Sequence, residues 1–225
     1  MNVKLSVVIP TLNESDQIEQ GLNKLQSLRH QGHEVIVVDG GSNDNTVSLA
    51  SPLCDRVIQS ERSRSIQMNA GSAAASGQCI LYLHADTDLP EDVADIFSKI
   101  INIENVWGRF DIQLSGQSWM FRIIETCMNT RSRITGIATG DQVIFVGKEL
   151  FSKVNGFPEI ALMEDVAISK LLINFSKPIC FTEKVVSSNR RWKENGIIKT
   201  IIKMWIIRLL YYFQFDTERL AKLYQ

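Results

Sequence analysis

"EVIVVDGGSND", residues 34–44, sets four consecutive β-branched residues (Val35 to Val38) before an aspartate, two glycines and a polar turn. A run that is apolar at every position, rather than at every second one, fits a strand covered on both faces, as in a parallel sheet. The glycines permit a tight turn, so Asp39 stands at the carboxyl end of the strand. The same grammar recurs on either side. "KLSVVIP" (4–10) is a short strand, and "NESDQIEQGLNKLQSLR" (13–29) places Ile18, Leu22, Leu25 and Leu28 at helical spacing. Thr11 and Glu14, three apart, read as a capping box that starts this helix directly after the strand. "TVSLA" (46–50) begins a short helix, "RVIQ" (56–59) reads as a third strand, "SIQMNAGSAAASG" (65–77) as an Ala-rich helix and "CILYLHAD" (79–86) as a fourth strand. Apolar strands alternating with helices predict an α/β fold: a mostly parallel central sheet with helices on both faces. Ligands of such sheets bind beyond the carboxyl ends of the strands, where Thr11–Glu14, Asp39–Asn43 and Asp86–Asp88 all fall.

After residue 90 the pattern loosens. "PEDVADIFSKI" (90–100) is helical, "VWGRFDIQLSG" (106–116) alternates as a strand does, and "SWMFRIIETCMNT" (118–130) returns to helix. "GDQVIFVGKELFSKVNGFP" (140–158) reads as strand, helix and turn, and "EDVAISKLLIN" (164–174) as a helix with Glu164 and Asp165 in its first turn. No linker, repeat or low-complexity segment interrupts the 225 residues, so one domain is expected. With 44% hydrophobic and 22% charged residues the composition is that of a globular protein. A net charge of −1 gives no electrostatic reason to expect nucleic acid. Cys54, Cys79, Cys127 and Cys180 form no CxxC pair and read as buried, reduced thiols of a cytoplasmic protein. "LSVVIP" is too short for a secretory core, which points the same way.

The chemistry concentrates in "ILYLHADTDLP" (80–90). In an extended chain His84, Asp86 and Asp88 would project to one side, and two carboxylates there call for a positive partner. Asp88 could instead cap the helix near Pro90. A hard divalent cation, Mg²⁺ or Mn²⁺, held by Asp86 and Asp88 together with phosphate oxygens, is the functional alternative. A lone histidine at a strand end is more often simply hydrogen-bonded, so His84 is left out of the metal set. Asp39 suits hydrogen bonds to a ribose or base, or a turn without a ligand; "GGSNDN" lacks the G-x-G-x-x-G fingerprint of dinucleotide folds. Arg62 and Arg64 precede the Ala-rich helix and suit phosphate, although surface arginine explains Arg62 equally well. For Glu164 and Asp165 the choice lies between a helix start favoured by the dipole and a general base.

Taken together, "SVVIPTLNE" (6–14), "EVIVVDGGSNDNT" (34–46), "RSIQMNAG" (64–71), "LHADTDLP" (83–90), "GDQVIFV" (140–146), "GFPEIALMEDVAISKLL" (156–172) and "SSNRRW" (187–192) resemble the family 2 glycosyltransferases of the GT-A fold, in the family's order. The nearer resemblance is to short single-domain bacterial members, which include carotenoid (diaponeurosporenoate) glycosyltransferase-like proteins. The resemblance implies a nucleotide-binding half (1–90), an acceptor and catalytic half (91–192) and a helical tail (193–225). It implies that Pro10, Thr11, Glu14, Asp39, Arg64 and Asp86 bind the nucleotide, that Asp88 with Asp86 holds Mg²⁺ or Mn²⁺, and that Asp165, supported by Glu164, is the catalytic base. Arg191, Trp192 and Asp141 fall on the acceptor side. The implied reaction is an inverting transfer of one sugar from a nucleotide-diphospho-sugar, UDP-linked by preference, to a hydroxyl or carboxyl acceptor. Its rivals are a sugar nucleotidyltransferase and a non-catalytic membrane-associated binding module. The first is disfavoured because "PTLNESDQ" is acidic and glycine-free, the second because Asp86, Asp88 and Asp165 are all retained.

Ser188 stands where polysaccharide-building relatives carry the glutamine of Q-x-x-R-W, and no long apolar span offers an export channel, so single-sugar transfer is expected. The most apolar segment, "GIIKTIIKMWIIRLLYYFQF" (196–215), holds three cations, which makes it a poor membrane span. From Arg190 to Arg208 six Lys or Arg face one Glu. This tail suits the anionic inner surface of the cell membrane and a lipid-like acceptor, or equally packing on the domain or on a second copy in a homodimer.

Overall fold

The computed structural model describes residues 4–100 and 103–224. Strands β1 (Leu5–Thr11), β2 (Glu34–Asp39), β3 (Arg56–Gln59) and β4 (Cys79–Tyr82) run parallel in the spatial order β3-β2-β1-β4. Between them lie α1 (Ile18–Lys24), α2 (Gln26–His30), α3 (Thr46–Ala50) and α4 (Arg64–Ala74). The chain then forms β5 (Thr87–Asp88), α5 (Val93–Ser98), β6 (Trp107–Leu114), α6 (Trp119–Thr135), a 3₁₀ turn at Gly140–Gln142, β7 (Phe145–Gly147), α7 (Lys148–Lys153) and α8 (Glu164–Leu172). It ends with β8 (Ile179–Ser187), α9 (Arg190–Asn195), α10 (Ile197–Tyr212) and α11 (Thr217–Tyr224). The sheet of eight strands is ordered β3-β2-β1-β4-β7-β6-β8-β5. β7 is antiparallel to β4 and β6, and β5 to β8, while β6 and β8 are parallel.

All six residues of β2 are buried, as an uninterrupted apolar run requires. Alternate side chains divide between two cores. Val7, Ile9, Val35, Val37 and Leu81 join α1, α5 and the Phe97–Phe145 ring pair on one face. Val8, Ile36, Val38, Ile80 and Tyr82 join Met68, Phe157 and Ile168 on the other. Each such fully buried aliphatic side chain contributes about 1.5–3 kcal/mol. Helix α4 lies so close to the sheet that a Cβ on Gly71 would meet Val8 Cγ1 at 2.4 Å. The buried Glu34 carboxylate accepts from Ser6 Oγ (2.7 Å) and from the Ser76 amide (2.9 Å), which ties β1 and β2 to the end of α4.

Several expectations are corrected. The helix expected over 13–29 starts at Ile18 and is broken at Leu25 into α1 and α2. Thr11 remains in β1 with its hydroxyl directed at the Val38 carbonyl (3.4 Å), so it caps no helix; the Glu14 carbonyl accepts from Gln17 and Ile18 instead. The fourth strand stops at Tyr82, and a turn closed by Thr87 N–H to His84 O (3.1 Å) redirects the chain into β5. His84, Asp86 and Asp88 therefore do not share one face of one strand. Strand β8 was not anticipated. Cys54 and Cys79 are buried, whereas Cys127 is exposed and Cys180 half-buried. The tail folds back on the domain: Ile207 and Leu220 pack with Leu162, Met163 and Val166 at the start of α8, and Ile197 and Ile201 against Phe121 and Ile124 of α6. Among the described residues no helix is long and apolar enough to cross a membrane.

Candidate active site

The parallel register sets Thr11 beside Asp39 and Asp39 beside Gln59, so the first three strands end at one edge. The loops beyond that edge are laced together. Asn13 donates to Ser42 Oγ (2.9 Å) through its amide and accepts from the Asn43 amide (2.9 Å) through its side chain, while the Glu14 amide donates to Thr46 Oγ1 (2.8 Å). Asp39 is fully buried, and its Oδ2 accepts from the Gly41 and Ser42 amides at 3.0 Å each, so the turn itself uses this carboxylate. Gln67, which drew no attention in the sequence, bridges the carbonyls of Thr11 (2.9 Å) and Val38 (2.8 Å) and closes the floor of the cleft. Pro10 is half-buried between these ends.

Across this floor stand the charged groups. Glu14 pairs with Arg190 of α9 at 3.7 Å; burial, then the nearby Asp86, raises its carboxyl against the pull of Arg190. Asp88 accepts from Lys24 Nζ at 2.6 Å, with the two side chains 36% and 48% exposed. It lies in β5 and therefore does not cap the helix after Pro90. Arg64, the first residue of α4, remains exposed to solvent. Burial pulls its pKa down, but Tyr224, Glu164, Asp141 and Asp165, in that order, more than offset this and hold it raised. His84 faces Asp141 (Nδ1 to Oδ1, 3.6 Å) and packs against Gly140, where a Cβ would meet its Nε2 at 2.7 Å. Burial, reinforced by Arg64, pulls its pKa down to about 4, against Asp86 and Asp165, so the ring is neutral.

Glu164 and Asp165 open α8 directly after Met163, whose φ of +71° is costly for a side-chain-bearing residue. Val143, β-branched and at φ +51°, follows the 3₁₀ turn on the opposite side. Asp165 is anchored by two backbone amides, Gly140 to Oδ2 (3.0 Å) and Val166 to Oδ1 (2.7 Å). Glu164 is 6% exposed, and burial followed by the charge of Asp165 raises it to about 7 against Arg64. Tyr211 of α10 completes this wall; burial and then the two carboxylates raise its phenol.

The residues proposed from sequence thus divide. Glu14, Arg64, Asp86, Asp141, Glu164 and Asp165 share one electrostatic neighbourhood, which also takes in His84, a residue left out of the proposed set. Trp192 instead packs against the Phe121 and Ile124 cluster, and the side chain of Arg191 lies outside the described residues. Among the described residues no three His, Cys, Asp or Glu form a metal cage. Mg²⁺ ordinarily takes only one or two carboxylates together with substrate phosphates. Two aspartates such as Asp86 and Asp88 are enough in number for that smaller demand, and the ammonium of Lys24 is the positive partner of Asp88.

Comparison with known proteins agrees with this architecture. The uncharacterized glycosyltransferase YibD of Escherichia coli is 24% identical over 154 residues, 64% of this chain and 44% of that protein. The chain spans less than half the length of the curated relatives it matches. Staphylococcus aureus TarS in complex with UDP-GlcNAc superposes with a TM-score of 0.68 at 20% identity, over 83% of this chain and 59% of that one. The mannosyltransferase PcManGT of Pyrobaculum calidifontis, in complex with GDP-Man and Mn²⁺, gives 0.66 at 19% identity, over 92% and 61%. These likenesses establish a GT-A fold. Residues 6–147, from β1 through β7 and including every strand end that builds the cleft floor, match the profile of glycosyl transferase family 2, and the chain belongs to that family.

Proposed function

We propose that the protein is an inverting glycosyltransferase that moves one sugar from a nucleotide-diphospho-sugar to a hydroxyl or carboxyl acceptor. The observation that carries this reading is Asp165, held at the start of α8 by the Gly140 amide and close enough to Arg64 and His84 for its charge to act on both. In a single displacement the acceptor oxygen attacks the anomeric carbon from the face opposite the leaving diphosphate, and Asp165 takes the proton of an acceptor hydroxyl. Gly140 N–H and Val166 N–H fix its orientation. Glu164 supports it from the same turn, and Asp141 and Trp192, with Arg191, belong to the acceptor side. Pro10, Thr11, Glu14 and Asp39 form the nucleoside pocket, and Arg64 meets the diphosphate. Asp86 and Asp88 would hold Mg²⁺ or Mn²⁺, which when bound offsets the charge building on the leaving diphosphate. UDP is the preferred nucleotide, in line with the UDP-GlcNAc held by TarS; the GDP-Man of PcManGT makes GDP the second choice. The basic tail favours a place on the inner face of the cell membrane and a lipid-like acceptor.

Calorimetric titration of UDP, with and without Mn²⁺, on wild type, Asp88→Ala and Asp165→Asn tests the reading. Binding should require Mn²⁺ and Asp88, and Asp165→Asn should bind as wild type does while its turnover falls by about 10²–10⁴. Absence of binding to UDP, GDP and dTDP alike would sink it, as would undiminished turnover by Asp165→Asn.

A further inference from the structure

Of the two amides that hold the Asp165 carboxylate, Val166 is its own neighbour in α8. Only the Gly140 amide (3.0 Å to Oδ2) comes from elsewhere in the chain. Gly140 opens the 3₁₀ turn at Gly140–Gln142, so whatever fixes that turn also fixes the direction of the carboxylate.

Gln142 fixes it. The residue is fully buried, and every hydrogen-bonding position of its side-chain amide is used. Its Oε1 accepts from Thr139 N–H (3.3 Å) and Thr139 Oγ1 (3.4 Å), and its backbone N–H donates to the Thr139 carbonyl (2.9 Å), which closes the turn. Its Nε2 donates to Asn129 Oδ1 (3.3 Å) and Ser132 Oγ (3.2 Å) on α6. Asn129 is in turn locked to β6, accepting from Ile112 N–H (2.9 Å) and donating to the Ile112 carbonyl (3.1 Å). A second strut runs through Ser169 of α8, also fully buried. Its hydroxyl donates to the Asp165 carbonyl (2.8 Å) and accepts from the Ala138 amide (3.1 Å). Buried hydrogen bonds thus join β6, α6, the turn and α8 without a break, and they end on Asp165.

The backbone on both sides of the Gly140–Asp165 contact is strained. Val143, just past the turn, is at φ +51°, and Met163, just before α8, is at φ +71°. Side-chain-bearing residues stay in this region only where their surroundings over-determine them, and such residues gather at sites whose geometry is used. A turn that merely joined α6 to β7 could relax both the strain and the buried polar cluster.

Resting on the transferase reading above, we propose that Gln142 is a positioning residue for Asp165. It touches no reacting atom and acts through the Gly140 amide: by tying the turn to Asn129 and Ser132 it presets the direction from which the carboxylate meets the acceptor hydroxyl. Donor binding, which in that reading rests on the strand ends, Asp86 and Asp88, does not depend on it.

Two variants test this. Gln142→Met keeps the length of the side chain and removes its hydrogen bonds; the milder Ser132→Ala removes one acceptor of Nε2 and serves should Gln142→Met fail to fold. The first readout is the amide proton of Gly140 by NMR, which needs no substrate. Its carboxylate acceptor draws it downfield, so Asp165→Ala should move it upfield. Gln142→Met should move it the same way and Ser132→Ala less far, with the amides of β2 staying in place. The second readout is UDP release from UDP-GlcNAc. In Gln142→Met kcat should fall by about 10–10², with KM and the affinity for UDP with Mn²⁺ unchanged. On an Asp165→Asn background the same substitution should cost nothing further, because a base that is absent needs no aiming. A Gly140 proton that stays in place in both variants would overturn the proposal. So would a fall in kcat on the Asp165→Asn background as large as on wild type. Undiminished turnover by Asp165→Asn alone would overturn the base reading, and the role of Gln142 with it, while the Gly140 shift would still report the hydrogen-bond link by itself.

Discussion

Glu164→Gln tests the electrostatics of the site directly. Glu164 is 6% exposed beside Asp165, and burial, then that neighbour, raises its carboxyl from 4.5 to about 7 against Arg64. A carboxyl that holds its proton more tightly folded than unfolded contributes stability in acid. That contribution is fully present below the unfolded pKa and is lost as pH rises through the folded one. The window therefore runs from pH 4.5 to about 7, and at 1.36 kcal/mol per unit the loss is about 3 kcal/mol. Glutamine has nearly the same shape and no proton to lose, so the variant lacks this slope. Urea unfolding of both proteins from about pH 4.5 to about pH 8 measures it. Wild-type stability minus variant stability should fall by about 3 kcal/mol across the window and level off above it. Groups common to both proteins, His84 and Glu14 among them, cancel in that difference. Profiles that stay parallel within about 0.5 kcal/mol would refute a buried Glu164 that is neutral in mild acid.

Gly71→Ala inserts a Cβ 2.4 Å from Val8 Cγ1 and 3.0 Å from Val38 Cγ2, both in the core, and should cost about 1–3 kcal/mol by chemical denaturation. A loss below about 0.5 kcal/mol would show that α4 does not press on the sheet as described. Burial and Arg64 pull His84 down to about 4, so its ring proton resonance should stay constant from about pH 5.5 to about pH 8; a midpoint near 6.5 would contradict its placement.

The amino-terminal half was legible because its strands are buried on both faces, which leaves an uninterrupted apolar run such as Val35–Val38 that nothing else in a short segment imitates. The carboxylates at the strand ends, and Glu164 with Asp165 at a helix start, were legible because polar groups clustered at predicted carboxyl ends have few structural uses. Strand β8 was not, since Thr182, Glu183 and Lys184 are exposed and break both the apolar run and the alternation. The turn at Ala85–Asp86 carries neither Gly nor Pro, so the expectation of a strand through Asp86 had no local signal against it. Gln67 and Tyr211 reach the cleft from helices distant in sequence. Their convergence comes from how α4, α8 and α10 pack, which no spacing along the chain records.

The pairing of β5 with β8 bears on the order in which the protein is made. Thr87 and Asp88 find their strand partners at Ser187 and Val186, and the Asp86 carbonyl accepts from the Ser188 amide at 3.1 Å. A nascent chain that has delivered β1 to β4 holds the strand ends that floor the cleft but leaves the aspartate turn without a partner in β8. Only when β8 leaves the ribosome can that turn be locked, and Arg190, two residues beyond Ser188, then reaches Glu14. Contacts of such long sequence separation form late and slowly. The carboxylates at Asp86 and Asp88 thus reach their final places only once β8 is in the sheet, which makes translation of β8 the step that completes the cleft.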